Sequence, residues 1–101
     1  MEQAMDVDTF KKSLDGSVPP EGTEGPLAAL WHAAKGEWHK AHALIQHDDS
    51  KEAARVHAHL HRIEGDQDNA DYWYRQADEP IAEMPIDQEW SSIVGALLTL
   101  R

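Results

Sequence analysis

Apolar residues recur along this chain at intervals of three and four, the spacing of one face of an α-helix. Leu27, Leu30, Trp31 and Ala34 form the first long stripe of this kind, and it follows Pro26, a residue suited to the first position of a helix. No segment has the sustained alternation of apolar and polar residues that is typical of a half-buried β-strand. The pattern therefore predicts an all-α fold.

Gly36 and Gly65 divide the middle of the chain into two pairs of predicted helices. Glycine readily adopts the left-handed conformation that closes many helices, so we expect a tight turn at each of these positions. Helical hairpins are predicted at about residues 26–47 and 50–78. Their further stripes are Trp38, Ala41, His42 and Ile45, then Ala53, Val56, His57 and Leu60, then Ala70, Trp73, Tyr74 and Ala77.

The ends of the predicted elements carry capping and breaking signals. Asp49 precedes Glu52 by three residues in a capping-box-like pair, so we expect Asp49 to begin the third helix. Residues 1–25 combine one short helix, capped by Asp6 or Asp8, with a Pro/Gly-rich linker. The apolar stripe of this short helix is Val7, Phe10 and Leu14.

A last helix is predicted at about residues 87–100, after two prolines in DEPIAEMP. Its apolar face is wide and allows two outcomes. The helix either caps the open end of a single domain spanning residues 26–101, or it forms a weak homodimer. The residues that would make the dimer contact are Trp90, Ile93 and Leu97.

The two predicted hairpins share a sequence pattern. Shifting the chain by 29 residues superposes Gly36 on Gly65, and with it His32 on His61 and Ala41 on Ala70. Self-similarity at a fixed spacing indicates helical hairpins that stack and cover each other's apolar faces.

The segment HLHRIEGDQDNADYWYRQA resembles a tetratricopeptide repeat, because Ala70, Tyr74 and Ala77 follow the turn glycine at the family's spacing. The first segment, LWHAAKGEWHKAHALI, departs from that pattern at Ile45, and the family's repeat of about 34 residues is longer than the spacing here. The resemblance implies two stacked antiparallel hairpins with a short N-terminal helix and a C-terminal capping helix. The chain is also similar to small uncharacterised bacterial proteins with the same two turn motifs, which implies a fold and no activity.

Charge and composition narrow the classes of function. Nineteen acidic against nine basic side chains give a formal charge of -10, which opposes binding to nucleic acid. The chain contains no cysteine, so a metal would need His, Asp or Glu ligands. No apolar run is long enough to cross a bilayer, and MEQAMDVD lacks the features of a signal peptide, so we expect a cytoplasmic protein without membrane contact.

A stripe of basic side chains supplies the leading functional hypothesis. Lys51, Arg55, His59 and Arg62 follow helical spacing on the side of the third helix opposite its apolar residues. The first helix of each tetratricopeptide hairpin lines a concave groove, so the resemblance implies that Arg55, His59 and Arg62 face it. Guanidinium groups there would bind carboxylates through paired hydrogen bonds. Tyr72 lies off its helix's stripe and is expected at the surface. We therefore predict a non-catalytic interaction or adaptor module, without a cofactor, that binds an anionic or C-terminal peptide segment of a protein partner.

The histidines supply the alternative. Seven occur in the chain, and His57 and His61 lie four residues apart, the spacing of a two-histidine metal site on a helix. His32 or His42 would supply a third ligand. The alternative function is accordingly a small-ligand or metal-binding protein. Packing of imidazoles between helices is the competing explanation.

Catalysis is not predicted. Asp68, Asp71, His42 and Tyr74 can be assembled on paper into an acid and base set, but nothing in their spacing requires it. The sequence has no glycine-rich phosphate loop and no serine nucleophile motif. We expect no catalytic residues and no enzymatic activity.

Overall fold

A computed structural model describes residues 5–100. Over this range the prediction of an all-α fold is confirmed, with helices and no strand. The helices are α1 (Val7–Lys12), α2 (Gly25–Ala34), α3 (Trp38–Ile45), α4 (Lys51–Ile63), α5 (Gln67–Gln76) and α6 (Ile86–Thr99), and a short 3-10 helix, Ser13–Asp15, follows α1. None of the helices in the described range is both long enough and apolar enough to cross a membrane.

Side-chain caps fix several helix starts. Asp6 caps α1, since its carboxylate accepts a hydrogen bond from the Thr9 amide at 2.8 Å. The cap predicted for the third helix was wrong by one residue: Ser50 caps α4, and its hydroxyl accepts from the Ala53 amide at 3.1 Å. Ser and Asp are both good N-cap residues, and Asp49 and Ser50 are adjacent. The geometry of the preceding turn therefore determines which of them caps the helix.

The two turn glycines have the predicted conformation and matching hydrogen bonds. Gly36 and Gly65 have φ angles of 79° and 86°. The amide after each glycine donates to a carbonyl five residues earlier, Glu37 to His32 at 3.0 Å and Asp66 to His61 at 2.9 Å. This is the long-range bond of a Schellman motif, so the 29-residue sequence match corresponds to the same helix ending in both pairs.

Helix α4 occupies the centre of the fold and packs against α2, α3, α5 and α6. Its predicted stripe is buried as expected. Neighbours on several sides also bury residues outside that stripe, including His59 and His61. A helix surrounded in this way has little surface exposed to solvent. The predicted basic stripe on α4 therefore cannot be exposed along its whole length.

The N-terminal helix belongs to the same core as the rest of the chain. Phe10 is fully buried, and its ring centroid lies 5.9 Å from that of Trp90. The Trp31 indole donates to the Ser13 hydroxyl at 3.0 Å, and Lys35 Nζ donates to the Leu14 carbonyl at 2.6 Å. α1 and the turn after it are therefore docked onto α2 and α6.

Helix α6 packs its predicted apolar face inside the chain. Trp90, Ile93 and Leu97 are all buried within the chain. The Trp90 indole donates to the Leu30 carbonyl of α2 at 2.7 Å. This face covers the chain's own core, so α6 packs as a cap within the chain.

Candidate metal centre

Three histidines from two adjacent helices converge between α3 and α4. His42 comes from α3, and His57 and His61 lie one turn apart on α4. One ring nitrogen of each lies within 4.8 Å of the other two, and the Nε2 atoms of His42 and His57 are 3.0 Å apart. A tetrahedral zinc ion with Zn–N bonds near 2.0–2.1 Å would separate its nitrogens by about 3.3 Å. This group, called the histidine cluster below, is close to the size of a three-imidazole metal site.

Two tryptophans hold the rings of the histidine cluster. Trp38 stacks on His42 with centroids 4.9 Å apart, and Trp73 stacks on His57 at 3.9 Å. Trp38 is itself fixed by a hydrogen bond of 2.6 Å from its indole to the Leu60 carbonyl. Both tryptophans belong to predicted helix stripes, and both are half-buried and lie against imidazoles.

Burial favours the uncharged form of two of the three histidines. It lowers the pKa of His57 to about 4, helped by the proximity of His42 and His61. Burial and the neighbouring His61 also lower the pKa of His42. At neutral pH these imidazoles are unprotonated, the form that binds metal ions through a ring lone pair.

Glu64 provides an outer partner for the cluster. Its carboxylate lies 3.1 Å from Nδ1 of His61. A carboxylate on one ring nitrogen fixes the tautomer and directs the other nitrogen to a metal, the arrangement common around metal-ligating histidines. His61, Glu64 and Asp66 also lie close enough together to hold an ion, but both acids are exposed. The three-histidine set is the better candidate because two of its ligands are buried and the third is half-buried.

His32 does not join the cluster, so that part of the predicted ligand set was wrong. Its Nδ1 lies 2.7 Å from a carboxylate oxygen of Glu37, across the turn between α2 and α3. The repeat relates His32 to His61, and each is held by a glutamate near the end of its helix. His32 and His61 occupy corresponding positions in the two helix pairs, but each position has different neighbours. The two histidines are therefore not brought together.

The predicted basic stripe is not a continuous exposed surface. The expectation that His59 faces a groove was wrong, because the residue is fully buried. Arg62 is half-buried and engaged within the chain, and Lys51 Nζ is 2.5 Å from a carboxylate oxygen of Asp78. Arg55 is half-buried, and Tyr72 is 46% exposed, as expected. Peptide binding by this surface stays a prediction, with His59 and Arg62 serving other contacts.

Those contacts belong to a buried polar network centred on Glu89 of α6. His59 Nδ1 lies 2.7 Å from one carboxylate oxygen of Glu89, and Arg62 Nη1 donates to the same oxygen at 3.1 Å. Tyr74 donates its hydroxyl to the other oxygen, and Arg62 also donates to the Met84 carbonyl. Burial alone would raise the pKa of Glu89, but the hydrogen bonds from His59 and Tyr74 hold it below the ordinary value.

The sequence prediction missed Glu89, although a signal was present. Glu89, Ile93 and Leu97 are spaced by four and share one face of α6, so an acid stands in an otherwise apolar stripe. A carboxylate at such a position needs a partner from another helix, because a buried charge is rarely left unpaired. Its partners lie about 15 to 30 residues earlier in the chain.

The acid and base set considered for catalysis is divided between sites. His42 belongs to the histidine cluster, whereas Tyr74 belongs to the Glu89 network. The carboxylate of Asp71 accepts a hydrogen bond of 2.7 Å from the side-chain amide of Gln67 within α5, and Asp68 is exposed. The described residues do not assemble these four side chains around one point.

Comparisons of the chain with known protein families, with curated proteins and with solved structures found no match. The functional inference therefore rests on the geometry of the sites themselves.

Proposed function

We propose that this protein binds a divalent transition-metal ion, represented by Zn²⁺, through His42, His57 and His61. The observation that carries the proposal is the convergence of three ring nitrogens within 4.8 Å of one another. Imidazole nitrogen is a favoured ligand of zinc, copper and nickel, and the chain has no cysteine that could supply a thiolate ligand.

The surroundings of the histidine cluster favour a bound ion over simple packing. Burial lowers the pKa of His57, so no proton must be displaced from it near neutral pH. Glu64 holds His61 from outside, and Trp38 and Trp73 restrain the other two rings. Rings that are already oriented lose little conformational entropy on coordination.

Three protein ligands would leave one position of a tetrahedral ion open. In proteins such a position takes a water molecule or an external ligand, whereas closed structural sites use four protein ligands. The proposed role is accordingly to hold an exchangeable metal ion. The phenol and carboxylate of the Glu89 network belong to a separate set of contacts and are not part of this site.

Calorimetric titration of the chelator-treated, metal-free protein with Zn²⁺ and Ni²⁺ tests the proposal. We expect one ion per chain with micromolar or tighter affinity. His42→Gln should weaken zinc binding by more than about 100-fold, which is the upper range for changes to an outer-shell residue. His42 is half-buried, so this variant is expected to fold, and circular dichroism of the metal-free protein checks that it does.

His47→Gln is the matched control, because His47 is an exposed histidine outside the cluster. It should retain the affinity of the unaltered protein. Equal zinc binding by the two variants would assign the ion to scattered surface histidines, and no binding tighter than micromolar would reject the proposal.

We also infer that α2–α3 and α4–α5 are two divergent tetratricopeptide-like hairpins that stack on each other. The shared Schellman endings at Gly36 and Gly65 support this inference. So does the packing of α4 against both helices of the first pair. A crystal structure checks it through the crossing angles of the four helices.

A further inference from the structure

We propose a second, independent binding site beside His59, for a small uncharged molecule with an apolar body and one N–H or O–H donor. A cavity of about 350 Å³ opens near the ends of α2 and α4 and the start of α6. Its walls include Leu14, Ala33, Ile63, Ile86 and Trp90, and His59 contributes to the lining. This volume lies at the lower end of the range for small-molecule pockets.

The second nitrogen of His59 is the buried polar atom on which this site depends. The other polar residues of the lining, Lys11, Asp87 and Ser91, are exposed or half-buried. The ring is fully buried, and its Nε2 atom has no hydrogen-bond partner among the described residues. A buried polar atom without a partner costs about 1–3 kcal/mol, so such atoms are rare in native proteins and call for an explanation. A ligand that donates to Nε2 supplies one. Because the ring has no exposed surface, we infer that side chains bordering the adjoining cavity move aside when such a ligand binds.

The Glu89 network fixes which way His59 presents its lone pair. Nδ1 faces the Glu89 carboxylate at 2.7 Å, and a carboxylate accepts hydrogen bonds. In the tautomer that donates Nδ1–H to Glu89, Nε2 carries the lone pair and is an acceptor. Arg62 already offsets the charge of Glu89, since its Nη1 lies 3.1 Å from the same oxygen. The site therefore selects a donor.

The cavity walls select the rest of the molecule. Ile63 and Ile86 border the cavity and leave 38% and 41% of their surfaces exposed, which is apolar area that a ligand can cover. Lys11 and Asp87 also border it and are exposed, with opposite charges that favour neither an anion nor a cation. An uncharged, largely apolar molecule with one N–H, such as indole, fits these features.

Indole and N-methylindole are the matched probes, because they share an apolar bicyclic body and differ in the donor. In titrations of the full chain followed by ¹H–¹⁵N NMR, indole should shift signals of Ile63, Ile86 and the Trp90 indole. N-methylindole should bind at least about tenfold more weakly, as expected for loss of one buried hydrogen bond. Long-range ¹H–¹⁵N spectra should show the His59 Nε2 resonance moving with indole alone.

Ala34→Phe should abolish indole binding, because Ala34 is an exposed residue on the lining and the larger side chain fills the cavity. Ala43→Phe is the control, since Ala43 is exposed on α3 and lies outside this cavity. Equal affinities for the two probes, no binding of either, or unchanged binding in Ala34→Phe would overturn the proposal. Zinc affinity should be the same in both variants, so this site and the histidine cluster are tested separately.

Discussion

His42 and His57 face each other across the packed surfaces of α3 and α4, with their Nε2 atoms 3.0 Å apart. The two residues are separated by 15 positions in the chain. Each ring is stacked on its own tryptophan, and His61 completes the cluster one turn from His57. Burial lowers the pKa of both His42 and His57, so protonation of these two rings opposes folding, which has a measurable consequence.

Acidification should destabilise the metal-free protein well above the range where most carboxylates titrate. Burial and two neighbouring histidines lower the pKa of His57 from 6.5 to about 4, so the unfolded chain takes up this proton first. Stability from this group is complete above pH 6.5 and is lost as the pH falls toward 4. The free energy of unfolding should drop by about 2–3 kcal/mol over that interval.

Urea denaturation at a series of pH values measures this loss. His57→Phe keeps an aromatic ring against Trp73 and should flatten the dependence, whereas His47→Phe at an exposed position should retain it. An unchanged pH dependence in His57→Phe would show that other groups cause the loss.

The two arginines of the predicted basic stripe should respond differently to truncation. Arg62→Ala removes a guanidinium that contacts buried Glu89 and the Met84 carbonyl, so unfolding should become easier by roughly 2–3 kcal/mol. That is below the usual loss for a fully buried pair, because Arg62 is partly exposed and Glu89 keeps two other partners.

Arg55→Ala is the control on the same helix and should cost less than about 1 kcal/mol. Thermal or urea unfolding of both variants measures the two losses of stability for comparison. If the losses are equal, Arg62 is a surface residue and the Glu89 network does not support the fold.

The hydroxyl of Tyr74 should contribute to stability through Glu89. Tyr74→Phe keeps the buried ring and removes the donor to the carboxylate, so we expect a loss of about 1–3 kcal/mol, typical of a hydrogen bond to a charged group. Tyr72→Phe, at an exposed neighbouring tyrosine, should change stability by less than about 0.5 kcal/mol. Similar unfolding midpoints for the two variants would argue against the hydrogen bond.

The start of α4 should depend on Ser50 and not on Asp49. Ser50→Ala removes the acceptor of the Ala53 amide and should destabilise the protein by about 1 kcal/mol. Asp49→Ala removes only a charge near the helix start, worth about 0.5 kcal/mol or less at an exposed site. Urea denaturation compares them, and a larger loss in Asp49→Ala would restore the capping-box prediction.

The turns and helix faces could be predicted from the sequence because they depend on neighbouring residues. Gly36 and Gly65 close their helices as expected, since few other residues adopt that φ angle without strain. The stripe of α4 is buried where the 3.6-residue period placed it. The cap at Ser50 was missed by one position because two good capping residues are adjacent and only the backbone geometry selects between them.

The candidate sites depend on which helices become neighbours, and no local pattern specifies that. The sequence by itself determined the helices, their apolar faces and the spacing of His57 and His61. The tertiary structure decided that His42 and not His32 joins them, because α3 packs across α4 while His32 remains beside Glu37 at the preceding turn. It also decided that His59 is buried. The 3.6-residue period of the sequence identifies one apolar face of α4, whereas in the fold several helices surround α4 and bury its other sides as well. Glu89 of α6 supplies the hydrogen-bond partner that a buried imidazole requires.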